Sequence, residues 1–137
     1  MDAAPALRYS FRVTAMVDAG IPLEHRGDDT LEFIPITGGP VTGDIDGEIV
    51  PGGGDWCLVR KDGTFEVEAR YLIRTTDGDI VDVVNVGVVR DEDGYFLTTP
   101  RFRTVAPHLK WLTRSVFVGR AYANANDTTV DVYELLN

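Results

Sequence analysis

The feature that most constrains this chain is a period-two alternation of apolar and polar residues, interrupted at short intervals by glycine turns. From Phe65 to Arg74, the residues Phe65, Val67, Ala69, Tyr71 and Ile73 oppose Glu66, Glu68, Arg70 and Arg74. From Arg8 to Val17, Tyr9, Phe11, Val13, Ala15 and Val17 share one face, and from Val41 to Val50, Val41, Ile45 and Ile49 oppose Thr42, Asp44, Asp46 and Glu48. Successive side chains of a strand point to opposite faces, so this contrast predicts strands with one buried face. Further strands are predicted at Thr30–Thr37, Trp56–Arg60, Asp79–Arg90, Tyr95–Thr104, Ser115–Ala123 and Thr129–Leu135.

Ala19-Gly20, Gly38-Gly39-Pro40, Pro51-Gly52-Gly53-Gly54, Asp62-Gly63, Asp77-Gly78 and Asp93-Gly94 read as turns between these runs, and Asn124, Asn126 and Asp127 as a loop tip. The one helical candidate, Pro107 to Arg114, is a turn or two long. So many short strands leave edges that must be protected, and closure protects them best. The expected fold is all-β: a single domain over residues 1–137, forming one closed antiparallel β-barrel of about eight to nine strands with one short helical turn.

Charge narrows the partners. The 13 Lys and Arg against 22 Asp and Glu leave a net charge of -9 and no basic stripe, which disfavours nucleic acid and anionic membranes. No apolar run approaches a membrane span, and Met1 to Arg8 lacks the pattern of a secretory signal. With one cysteine, Cys57, no internal disulfide can form, so the chain reads as cytoplasmic.

Cofactor motifs are missing. His25, His108 and Cys57 are too few for structural zinc, and Asp44, Asp46 and Glu48 sit on a predicted strand with Gly47 out of register for a calcium loop. Pro51 to Asp55 lacks the Lys-Ser/Thr end of a phosphate loop and reads as a sharp turn. Cys57 has only Asp55 nearby, which opposes thiolate formation, so it reads as a buried structural residue. No metal and no cofactor are expected. Asn85, enclosed by Val81, Val83, Val84, Val86, Val88 and Val89, is either a hydrogen-bonded core residue or a group presented to a pocket.

Several linked motifs then carry a family resemblance. They are Pro51-Gly-Gly-Gly-Asp55-Trp56, Glu68-Ala69-Arg70-Tyr71, Arg74-Thr75-Thr76-Asp77-Gly78 and Asn85-Val86-Gly87, followed by Tyr95 to Phe102, Trp111 to Arg114, Phe117-Val118-Gly119 and Asp131-Val132-Tyr133. Together, from about Ile34 to Tyr133, they resemble the domain of unknown function 3237 family. The resemblance implies a small barrel of the allene oxide cyclase or lipocalin-like kind. By fold analogy such barrels host cofactor-free cyclases, isomerases and pericyclases as well as plain carriers. The chain departs from the family pattern at Leu97, where a basic residue is usual, at Arg103, where an acid is usual, and at Thr113, where asparagine is usual. The turn from Arg90 to Gly94 is also short.

The expected ligand is a small apolar or aromatic, carbonyl-containing metabolite. The expected chemistry is that of a cofactor-independent cyclase, isomerase or lyase of secondary or aromatic metabolism, the alternative being a non-catalytic carrier. Arg70 and Asn85 are expected to bind or polarise a carbonyl, with Glu68 or Asp55 as proton acceptor and Arg114 as a second cation. Trp56, Tyr71, Phe102 and Trp111 are expected to line the pocket. Strand parity sets a condition: if Tyr71 faces inward, Glu68 and Arg70 form a surface ion pair worth little. Apolar residues on both faces of Val81 to Val89 also predict a homodimer.

Overall fold

The computed structural model describes residues 3–137; Met1 and Asp2, where the reading of the N-terminus and of the domain begins, lie outside them. Ten strands follow in order: β1 (Ala6–Val17), β2 (Ile21–Arg26), β3 (Asp29–Gly38), β4 (Pro40–Gly43), β5 (Gly47–Val59), β6 (Thr64–Thr75), β7 (Ile80–Arg90), β8 (Phe96–Arg103), β9 (Phe117–Ala123) and β10 (Asp127–Leu136). A 3-10 helix, Pro107–Thr113, joins β8 to β9 and opens on the proline that the sequence marked. Among the described residues, no helix is long and apolar enough to cross a membrane.

All the strands belong to one antiparallel sheet of order β10-β9-β8-β7-β6-β5-β4-β1-β3-β2, with β10 also pairing with β1 and β3 with β5. The β1–β10 ladder extends from Ala6↔Leu136 to Met16↔Asp127, so the hydrogen-bonded sequence of strands returns to its start. Ladder lengths are uneven. β6 and β7 pair from Thr64↔Arg90 to Arg74↔Ile80, whereas β8 and β9 meet only at Leu97↔Arg120 and Thr98↔Gly119.

One face of the sheet builds the core. Phe11, Val13, Ile49, Ile73, Val81, Val83, Phe102, Phe117 and Val132 pack together, and Leu109 and Leu112 of the 3-10 helix join them. Phe102 sits 5.6 Å from Phe11 and 5.1 Å from Phe117, ring centre to ring centre, tying β1, β8 and β9 into one aromatic cluster.

Three local expectations need correction. Tyr9 does not share the inward face: the register shifts between Tyr9 and Phe11, Ser10 is buried in its place, and Tyr9 turns out to stack edge-on against Tyr133. Pro51 to Gly54 is no turn between strands but a bulged stretch inside β5, with the register shift between Val50 and Gly54. Glycine is required there because a Cβ on Gly54 would lie 2.1 Å from the Phe33 ring and one on Gly53 2.5 Å from the Arg70 carbonyl oxygen. Conversely, Val41 to Val50 is not one strand; Asp44, Ile45 and Asp46 turn between β4 and β5. The hairpin turns stand as expected, with Gly63 and Gly78 at positive φ of 82° and 92°.

Candidate active site

The bulge in β5 decides which residues meet. Beyond it, Asp55 lies opposite Ala69, Ala69 opposite Asn85, and Asn85 opposite Pro100. Residues directly opposed across a ladder share a face. Asp55 and Asn85 therefore stand on one face, two strand spacings or about 10 Å apart, with only the Ala69 methyl between them. Tyr71, two residues along β6, is buried on that same face among the core residues. Cys57 is also buried.

The chemistry of this face is unusual for an interior. Asn85 is only 5% exposed, yet among the described residues its Oδ1 finds no hydrogen-bond partner; Thr98, 4% exposed, likewise leaves Oγ1 unpaired there. The Thr98 hydroxyl packs against β9, where a Cβ on Gly119 would lie 2.3 Å from its oxygen. Asp55 Oδ1 accepts the backbone N–H of Glu68 at 2.9 Å. Burial nevertheless pushes the Asp55 carboxyl up to about 6, the Glu68 N–H pulling it back down and the nearby Glu68 charge adding to the rise. Burial, with Asp55 and Glu32 close by, pushes the Cys57 thiol up to about 12, which fits an inert residue. Burial also raises the Tyr71 phenol, so it stays protonated.

The other expected residues lie elsewhere. Glu68 and Arg70 face the opposite side of β6 and pair with each other, Arg70 Nε donating to Glu68 Oε2 at 2.9 Å. The parity condition thus resolves toward Tyr71, and Arg70 and Asn85 do not meet at one carbonyl. Trp56 is on the Arg70 side, its ring 5.8 Å from the Arg70 guanidinium carbon and 5.1 Å from Phe33. Trp56, Glu68 and Arg70 line an outer groove of 1490 Å³. Phe102 is in the core; Trp111 packs on Phe117 at 6.2 Å and, with Arg114, borders a smaller depression of 480 Å³ near His108. His108 Nε2 is 2.8 Å from Asp79 Oδ2. Missed by the sequence reading is Arg120, which lines the outer groove; its signal was the alternation of Val118, Arg120 and Tyr122 against Phe117, Gly119 and Ala121.

With this geometry in hand, the similarities to known proteins become informative. The model of the family described as protein of unknown function (DUF3237) matches residues 5–94 and 90–135. The chain belongs to the DUF3237 family. Among DUF3237 relatives, the UPF0311 protein RPA1785 of Rhodopseudomonas palustris is 34% identical over 146 residues, covering 94% of this chain and 95% of the relative. The RPA1785 crystal structure superposes with a TM-score of 0.92 over 98% of this chain and 100% of that one, at 33% identity. A β-barrel-like protein of Acinetobacter baumannii gives 0.88 at 26% identity, over 98% and 99% of the two chains. An enzyme of Penicillium herquei gives 0.82 at 20% identity, over 98% and 97%, a likeness of fold alone.

Proposed function

We propose that this DUF3237 chain works as a closed barrel that binds an apolar or aromatic, carbonyl-containing metabolite and transfers a proton within it, as a cofactor-independent cyclase, isomerase or lyase. The observation that carries this reading is the Asn85 amide, buried without a hydrogen bond to its oxygen, one alanine away from a carboxyl raised to about 6. A buried orphan acceptor costs about 1–3 kcal/mol, a cost that a ligand held there would remove. A carboxyl with a proton affinity near working pH is a far better base than an ordinary aspartate. In this reading a hydroxyl beside the ligand's carbonyl donates to Asn85 Oδ1 while the carbonyl oxygen accepts from the Asn85 amide N–H, where developing charge is stabilised in a dry site, and Asp55 takes the proton from the adjacent carbon and returns it elsewhere. Between the two groups stands only the small Ala69 methyl. That this fold accommodates catalysis is seen in the Penicillium herquei enzyme; the chemistry assigned here rests on this chain's own residues.

The test needs no native substrate. Aromatic ketones such as 2-tetralone are incubated with the protein in deuterium oxide, and exchange at the carbon beside the carbonyl is followed by NMR. The expected result is exchange above the buffer rate, lost in Asp55→Asn and reduced at least tenfold in Asn85→Leu. Exchange that persists in both variants, or none with any ketone of a chemically varied panel, overturns the reading.

A further inference from the structure

The outer groove is lined mainly by side chains of the face opposite to Asp55 and Asn85, although Val67 and Thr98 of the Asn85 face also border it, and the proposed reaction does not use it. One row of directly opposed residues crosses it: Leu31, Leu58, Glu66, Val88, Leu97 and Arg120, on β3, β5, β6, β7, β8 and β9. Val86 and Thr99 form the adjoining row. From Glu66 to Arg120 the row spans three strand spacings, about 14 Å, and its middle is wholly apolar. Trp56 and Tyr95 also line the groove.

The charge of this groove runs against that of the protein. The chain carries -9, yet the groove is lined by Arg26, Arg60, Arg70 and Arg120 against Glu66 and Glu68. Three of these arginines are already neutralised: Arg26 by Glu24, Arg60 by Asp62 and Glu66, and Arg70 by Glu68. Arg120 forms no ion pair among the described residues; its guanidinium carbon lies 5.8 Å from the centre of the Tyr122 ring, which leaves its charge unneutralised. Asp131 faces it across the β9–β10 ladder, but both Asp131 oxygens are held by Arg12, at 2.7 and 3.1 Å. An unneutralised guanidinium at the end of an apolar floor, with a tryptophan toward the other end, matches one ligand class by charge and shape.

We propose that the outer groove is a second binding site, for a flat aromatic carboxylate whose acid group pairs with Arg120 and whose rings lie over Val88 and Leu97 toward Trp56. Val86 and Val88, which on sequence grounds predicted a dimer face, serve here as the ligand's floor. Leu97 is part of the same design: a basic residue at that position, usual in the family pattern, would place a second cation in the apolar span.

The test is calorimetric titration with 2-naphthoate and with its neutral methyl ester. The expected outcome is that naphthoate binds, the ester binds at least tenfold more weakly, and Arg120→Met loses at least tenfold in naphthoate affinity. Arg103→Met, an exposed arginine outside the groove, should leave affinity unchanged, and so should Asn85→Leu, which separates this site from the proposed reaction centre. Equal binding of acid and ester, or full affinity in Arg120→Met with its circular dichroism intact, overturns the proposal. So does light scattering that finds a dimer which Val88→Lys breaks, because a second copy then occupies the groove.

Discussion

Asn85→Leu should make the protein more stable. Wild-type Asn85 sits at 5% exposure with its Oδ1 unpaired, flanked across the ladders by Ala69 and Pro100. Removing a buried unsatisfied acceptor returns about 1–3 kcal/mol. Leucine has nearly the same shape as asparagine and adds apolar contact with Val83 and its neighbours, so overpacking takes back less than the gain. At about 2.1 cal/mol/K of unfolding entropy per residue, 137 residues give roughly 0.29 kcal/mol/K, so Tm should rise by about 3–10 °C. Differential scanning calorimetry at pH 7 reads this directly. An unchanged or lower Tm would show that the amide is a structural element, satisfied by an internal water and costly to lose, and would remove the main support for a ligand site on this face.

Other outcomes follow from the same geometry. The Asp55 carboxyl is raised from about 4 to about 6, so the native state holds its proton more tightly than the unfolded chain does, and the stability it contributes in acid is lost as pH rises through that window. Asp55→Asn should therefore gain up to about 3 kcal/mol over wild type above pH 6 and nothing below pH 4, with the difference read from urea midpoints; a gain present equally at pH 3 would refute the assignment. Gly119→Ala should destabilise by about 1–3 kcal/mol in chemical denaturation, because the new methyl meets the Thr98 hydroxyl oxygen at 2.3 Å and a Val130 methyl at 2.8 Å. Cys57 should resist Ellman's reagent at pH 8 in the native protein and react at once in denaturant, since burial holds its thiol near 12; rapid native labelling would contradict that burial.

The alternation made most of the strands legible because a two-fold contrast survives wherever one face is buried. β2 escaped it for the same reason: Ile21–Arg26 is exposed throughout, carries Pro22, and among the described residues pairs with β3 alone, so nothing in its composition marks an inside. Pro51 to Gly54 was misread because glycine serves two ends, turning a chain or letting another chain pass close above it, and only the position of Phe33 and Tyr71 decides between them. The candidate site was legible in kind but not in arrangement. Asp55, Asn85, Glu68 and Arg70 stood out as polar groups among apolar runs, yet a single bulge sets the face of Asp55, and the register of β5 on β6 on β7 sets its distance from Asn85. Arg120 looked ordinary because its lack of an ion-pair partner among the described residues depends on Arg12, more than a hundred positions away in the chain, holding Asp131.

The short ladder between β8 and β9 has a kinetic consequence. Every other neighbour in the circuit of strands that runs from β5 to β10 and back to β1 is joined over a longer ladder, whereas this seam holds at Leu97↔Arg120 and Thr98↔Gly119 alone. Parting it breaks few hydrogen bonds, and β9 remains anchored by its ladder to β10. The strands can therefore separate at this seam without unfolding the rest. Amide deuteration would begin along the β8 side of this seam while the centre of the β6–β7 ladder is still protonated. A guest too bulky for a rigid opening would pass inward between the two strands, so the lifetime of the bound state would follow the rate of their separation and not the width of any mouth.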